Sequence, residues 1–239
     1  MLDLAFYGDL FLPDRGGPST KSGDATSLLD LMDEKELSEV SEALADVVSA
    51  GDLAVAEAEV GKAYTRTPRW AQALLRAVDR RCGAAAGVLY LGVLRQVRHY
   101  LTDGDLKTQV DARVADTVGT SCRVLIGHSL GSVVAYEYVR QHPGQGVQLL
   151  VTLGSPLGLR MVRERLQVEQ LAVPRWVNVR DVRDPVACAG ELRRWWPQID
   201  ERDELVVDNS GDAHAIERYL NRRATGEVLI SALPHLVAA

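Results

Sequence analysis

The chain has 239 residues, of which 46% are hydrophobic and 25% charged, and a formal net charge of −6. This suits one globular domain with room for an inserted subdomain, and the acidic balance offers no long-range pull towards nucleic-acid phosphates. Three cysteines, Cys82, Cys122 and Cys188, are an odd and scattered set that argues against a disulfide framework or a zinc site and fits a reducing compartment.

In chain order, Leu2 to Gly8 (LDLAFYG) reads as a short buried strand. Met1-Leu2-Asp3 opens on an acid with no basic n-region, so no signal peptide is expected and the expected location is the cytoplasm. Pro13 to Gly23 is rich in Pro, Gly and Ser and reads as a loop. From Asp24 to about Val118 the spacing is helical: Ser27 to Asp30, Glu36 to Val48, Trp70 to Val78 and Leu89 to Leu101 place apolar residues three and four apart. Gly51, Pro68 and Asp103-Gly104 punctuate the run. Its most apolar piece, Cys82 to Leu94, is too short to span a bilayer and reads as a buried or lid helix. Nearly a hundred helical residues between the first strand and the next are expected to cap the functional site, with Leu89, Tyr90 or Leu94 facing an apolar pocket.

Val124 to Ile126 is a short aliphatic strand, followed by Gly127-His128-Ser129-Leu130-Gly131 and then a helical pattern through Val133, Val134, Tyr136, Tyr138 and Val139. Strand, G-x-S-x-G, helix is the setting of a nucleophile elbow. The turn holds its serine in a strained backbone, and side chains at Gly127 and Gly131 would collide with the neighbouring strand and helix. The serine oxygen then stands at a helix N-terminus, where free amides favour a developing negative charge. After His142-Pro143-Gly144, strands alternate with helices: Val147 to Leu153, a helix near Leu159 to Leu166, Arg175 to Val182, Glu204 to Asp208, and a helix opened by His214 to Leu220. This alternation predicts a mostly parallel, doubly wound α/β sheet with its site at the strands' carboxyl ends. Arg160, Arg163 and Arg165 have Glu164 and Glu169 among them and read as a solvated face.

A serine needs a base within hydrogen-bond reach, and the base an orienting carboxylate. In this kind of fold the chain order is Ser, then Asp or Glu, then His, each on a loop after a strand. Of five histidines, His99 lies in the helical insertion, His128 inside the elbow pointing away from Ser129, His142 at a helix end and His235 near the C-terminus. Only His214 follows a late strand. Asp184, just beyond RWVNVRDV and before Pro185, is the candidate acid, with Asp181 the runner-up and Asp208 and Asp212 weaker rivals. Ser155 in GSP is the reserve nucleophile.

The segments GHSLGSVVAYEY, LGSPLGL, WVNVRDVRDPVA and VDNSGDAHAIERYL, in this order, resemble bacterial α/β-hydrolase-fold serine esterases and lipases. GSPLGL and DPVA are also similar to pieces of intracellular phospholipases of the DDHD type. The resemblance covers about Ser121 to Leu220. It implies one α/β-hydrolase domain over 1–239 with a helical cap at 24–118, and a triad of Ser129 as nucleophile, Asp184 as acid and His214 as base. It implies hydrolysis of a small-molecule acyl ester or thioester without metal or organic cofactor; the acidic balance sets nucleic acid aside as a partner, and the short apolar stretch Cys82 to Leu94 makes membrane contact unexpected. A biosynthetic thioesterase, acyltransferase or cyclase would use the same residues, and a catalytically impaired relative would keep the fold.

Relatives begin with a strand ending in a His-Gly loop that supplies one oxyanion amide, and this chain has no His-Gly pair. The Leu130 amide is one expected donor. The other is expected from Gly8 or Asp9 if LAFYG lies beside the elbow strand. If LAFYG sits one place out, the elbow strand loses the ladder along one edge.

Overall fold

The computed structural model describes residues 2–12, 32–45, 48–60, 68–83, 86–187 and 189–233. The loop expected at 13–23, the helical pattern of Ser27 to Asp30, Cys188 and His235 lie outside the described residues.

The helical insertion forms as its spacing predicts. Its helices are α1 (Glu34–Ala45), α2 (Ala50–Glu59), α3 (Arg69–Cys82), α4 (Ala86–Thr102) and α5 (Gly104–Thr117). Two of their starts carry side-chain caps. Ser49 accepts the Asp52 amide ahead of α2, and Asp103 accepts the amides of Asp105 and Leu106 ahead of α5. Along α4, Tyr90, Leu91, Leu94 and Val97 are fully buried, the three-and-four spacing of a helix that packs on neighbours to either side. Among the described residues no helix is long and apolar enough to cross a membrane.

Four parallel strands follow: β1 (Val124–His128), β2 (Leu149–Leu153), β3 (Arg175–Asp181) and β4 (Glu204–Val207). They lie side by side in chain order, and β1 pairs with β2 from Val124↔Leu149 to His128↔Leu153. The connections contain α6 (Leu130–Gln141) and α7 (Arg160–Arg163), and α8 (Ile216–Leu220) and α9 (Arg223–Ala232) follow β4. Alternation sorts the faces. Leu150 and Trp176 join α4 to α7 in the larger core, while Leu149, Val151, Leu153, Val177 and Val179 meet Tyr219 and Val228 of α8 and α9. The sheet is thus parallel with helices on both faces. The order of the described strands does not reverse, and the crossovers between them pack on the larger-core side.

Two further expectations are corrected. Leu2 to Gly8 is no strand. Residues 2–7 carry no ladder, and Gly8–Phe11 is a 3₁₀ turn. The cause is visible at Arg113, whose guanidinium takes the Phe6 carbonyl at 3.3 Å and the Asp9 carboxylate. The acceptor that a sheet ladder needs is thereby diverted to α5. The side chains still alternate. Ala5 and Tyr7 pack on the larger core, whereas Leu2, Leu4 and Phe6 are 94%, 83% and 66% exposed. Among the described residues no backbone hydrogen bond joins this segment to β1, and β1 has a ladder with β2 alone.

The second correction concerns the pocket lining. Tyr90 and Leu94 are buried inside the helical layer, with the Tyr90 hydroxyl on the Ala43 carbonyl, and Leu89 is exposed. The layer spends its apolar stripe on its own core and on α6 and α7, which leaves no described apolar pocket lined by these residues.

Candidate active site

The backbone of Ser129 is the first sign of a specialised position. It joins β1 to α6 at φ 54° and ψ −129°, a left-handed conformation that costs a non-glycine residue about 1–3 kcal/mol. The surroundings enforce it. The Ser129 amide donates to the Leu153 carbonyl at the end of β2, tying the turn to the sheet. A Cβ on Gly127 would come within 2.4 Å of the Gly131 carbonyl oxygen, so strand and helix meet there only through glycine. Gly131 is less confined than expected. A Cβ there would meet only the Tyr7 hydroxyl, at 3.2 Å.

Three predicted residues come together. His214, on the loop between β4 and α8, places Nε2 3.0 Å from Ser129 Oγ. Its Nδ1 lies 2.9 Å from each carboxylate oxygen of Asp184. Asp184 is fully buried and His214 nearly so. The carboxylate is held by further donors, the Val186 amide at 2.8 Å and the Tyr219 hydroxyl at 2.6 Å. Burial, then the Asp184 charge, push the Tyr219 phenol far above its usual range, so it remains a neutral donor. With Asp184 an acceptor on both oxygens, the proton on His214 sits at Nδ1 and Nε2 is free to accept from the serine.

The rival residues have other work. Asp181 is fully buried and accepts the amides of Arg183 at 2.8 Å and Asn209 at 2.5 Å. It fastens the end of β3 to the loop that carries His214. Asp208 is exposed and pairs with Arg183, and Asp212 accepts the His214 amide at 3.3 Å. Ser155 is buried, shares a 2.7 Å hydrogen bond with Ser132 and caps Leu157. His99 bonds Asp103, and His142 stacks on Tyr138. Arg160 pairs with Glu164, Arg163 lies over the Trp195 ring, and Arg165 reaches Glu39 of α1.

Four contributors escaped sequence reasoning. His128 does not simply point away: its Nε2–H donates to the His214 carbonyl at 2.7 Å, and its ring packs on the His214 ring with centroids 4.6 Å apart. Burial and the neighbouring His214 lower its pKa to about 4, so it backs the base as a neutral ring. Tyr219 stands in α8, five residues past His214, and no spacing in the sequence ties its hydroxyl to Asp184. At Gly154 (φ 51°) a Cβ would lie 2.6 Å from Asp184 Oδ2, so the end of β2 must be bare there. Tyr7 carried no signal in the sequence. Beside the two expected N-terminal donors, Gly8 and Asp9, the Asp9 carboxylate pairs with Arg113. The part of this segment that reaches the elbow is the Tyr7 side chain.

Leu130 and Gly131 are the first residues of α6, where amides have no intrahelical acceptor. Among the described residues no group of three His, Cys, Asp or Glu side chains is arranged to hold a metal ion. Comparison with protein-family models, with curated proteins and with solved structures finds no match.

Proposed function

We propose that this chain is a serine hydrolase of the α/β-hydrolase type that cleaves carboxylic esters through an acyl-enzyme. One observation carries the reading: a serine on a strained strand-to-helix turn stands 3.0 Å from a histidine nitrogen whose partner nitrogen is 2.9 Å from a buried aspartate. A structural serine needs neither the strain nor the aligned base.

In this reading His214 Nε2 takes the Ser129 proton as Oγ attacks the ester carbonyl. Asp184 holds the ring in the tautomer that accepts at Nε2 and stabilises the imidazolium that forms. The oxyanion develops at the N-terminus of α6, where the Leu130 amide donates to it. His214 then passes its proton to the leaving alcohol, and water repeats the two steps on the acyl-enzyme. The ring of His128 stays neutral beside the transient His214 cation, so no second positive charge opposes it.

Hydrolysis of p-nitrophenyl esters of increasing chain length tests the reading. The parent protein should turn over, and Ser129→Ala should abolish turnover without loss of thermal stability. Since Tyr90 and Leu94 are spent on the helical core, no preference for long chains is expected from them.

A second reading, a ligand-binding relative without turnover, is favoured by one observation: among the described residues the outer edge of β1, where the second oxyanion amide is expected, has no ladder. Stoichiometric ester binding with no product release would support it.

A further inference from the structure

The elbow has a side-chain hydroxyl beside it that can serve as the second oxyanion donor. We propose that the Tyr7 hydroxyl is that donor and completes, with the Leu130 amide, the hole that receives the substrate's carbonyl oxygen. The inference rests on the serine-hydrolase reading and adds a catalytic residue to it.

The position is fixed by Gly131. A Cβ built there would lie 3.2 Å from the Tyr7 hydroxyl oxygen. In a helix the Cα–Cβ bond tilts towards the N-terminus. The hydroxyl thus lies against the first turn of α6, whose amides have no intrahelical acceptor. The glycine leaves the room that the hydroxyl uses, so the second glycine of the elbow admits a donor rather than a strand.

The donor is also unspent. Among the described residues the Tyr7 hydroxyl has no hydrogen-bond partner, while its ring is engaged with Phe11 and the helical layer. Burial raises its pKa to about 12, so it carries its proton throughout the neutral range. The segment that bears it is pinned by Arg113 to the Phe6 carbonyl and to Asp9, and Phe11 lies edge-on to His99. A preorganised donor of this kind pays no reorganisation as the oxyanion forms. The same anchoring explains how β1 can lack a ladder on this side while the site keeps two donors.

Tyr7→Phe is the test, read on a protein whose Ser129 labels with a fluorophosphonate. Loss of one oxyanion donor should lower kcat by about 10²–10³-fold with little change in KM. Labelling should slow in parallel, because the phosphonyl oxygen uses the same hole. A second variant guards against a packing defect: 3,5-difluorotyrosine at position 7 keeps the shape but makes the phenol more acidic. Its turnover should match the parent at low pH and fall as pH rises through the lowered pKa, where the parent stays flat. If Tyr7→Phe retains parental kcat, or the fluorinated protein follows the parent's pH profile, the proposal fails while the triad stands. If the parent itself neither labels nor turns over, the hydrolase reading fails first, and the Tyr7 proposal with it.

Discussion

The two sides of β1 are built by different means. On one side, five residues pair in register with β2, and the ends of β2, β3 and β4 carry the groups that meet at Ser129. On the other, no described strand pairs; residues 2–7 make no backbone hydrogen bond to β1 and are held by Arg113 of α5 and by the packing of Ala5 and Tyr7. The proposed nucleophile, base and acid come from the laddered side, on loops that follow strand ends. The unladdered side can place a side chain, but not a loop of aligned amides. Substitutions should therefore be severe on the laddered side and mild on the other, with Tyr7 the exception.

The largest effect in this contrast falls on the acid. Asp184→Asn keeps the shape but favours the wrong His214 tautomer, and should lower kcat by up to about 10⁴-fold. Asp181→Asn should behave differently. One of the two amides that Asp181 accepts loses its oxygen, which costs stability of about 1–3 kcal/mol and lowers the melting temperature, with a much smaller change in kcat. Reversal of this ranking would move the acid to Asp181.

Next comes Gly154→Ala. Its methyl would press on Asp184 and His214 from the end of β2, and an ångström of displacement is worth about 10²-fold in turnover. Burst kinetics at constant KM would show it.

What the sequence disclosed follows the same division. Local signals sufficed on the laddered side. Val124 to Ile126, GHSLG and the late strands sit where aliphatic runs and glycines place them, and the order Ser, Asp, His left one candidate for the base and a short choice for the acid. The helices of the insertion were legible from their spacing and caps. Their destination was not, because an apolar stripe says that a helix is buried without saying against what; Tyr90 and Leu94 went into the helical core. The N-terminal segment was misread because LDLAFYG has strand-like alternation, and its pairing is decided by Arg113, over a hundred residues away. The roles of His128 and Tyr219 depend on contacts between loops that no spacing rule encodes.

A pH effect sharpens the account of the laddered side. His128 has a pKa of about 4 when folded, against about 6.5 in an unfolded chain. The unfolded state therefore binds the extra proton as pH falls from about 6.5 to 4, and folding stability declines through that window. Below it the contribution is lost and flat. In His128→Gln that part of the slope should vanish from denaturant midpoints measured between pH 7 and 4. An unchanged slope would mean that the ring is solvated rather than packed on His214.

The smallest effect belongs to the unladdered side. Leu2→Lys and Leu4→Lys place charges on an exposed apolar row beside an open edge, the usual protection against edge-to-edge association. Light scattering should show less self-association at high concentration, with kcat unchanged. A fall in kcat would show that residues 2–7 support the site by more than Tyr7.

The central claim, that Ser129 is an activated nucleophile, is tested most directly by a fluorophosphonate probe followed by mass mapping of the labelled peptide. The account predicts one adduct, on Ser129, formed by the parent protein, slowed in Asp184→Asn and absent in Ser129→Ala. No adduct at all, or one on Ser155 that persists in Ser129→Ala, would contradict it.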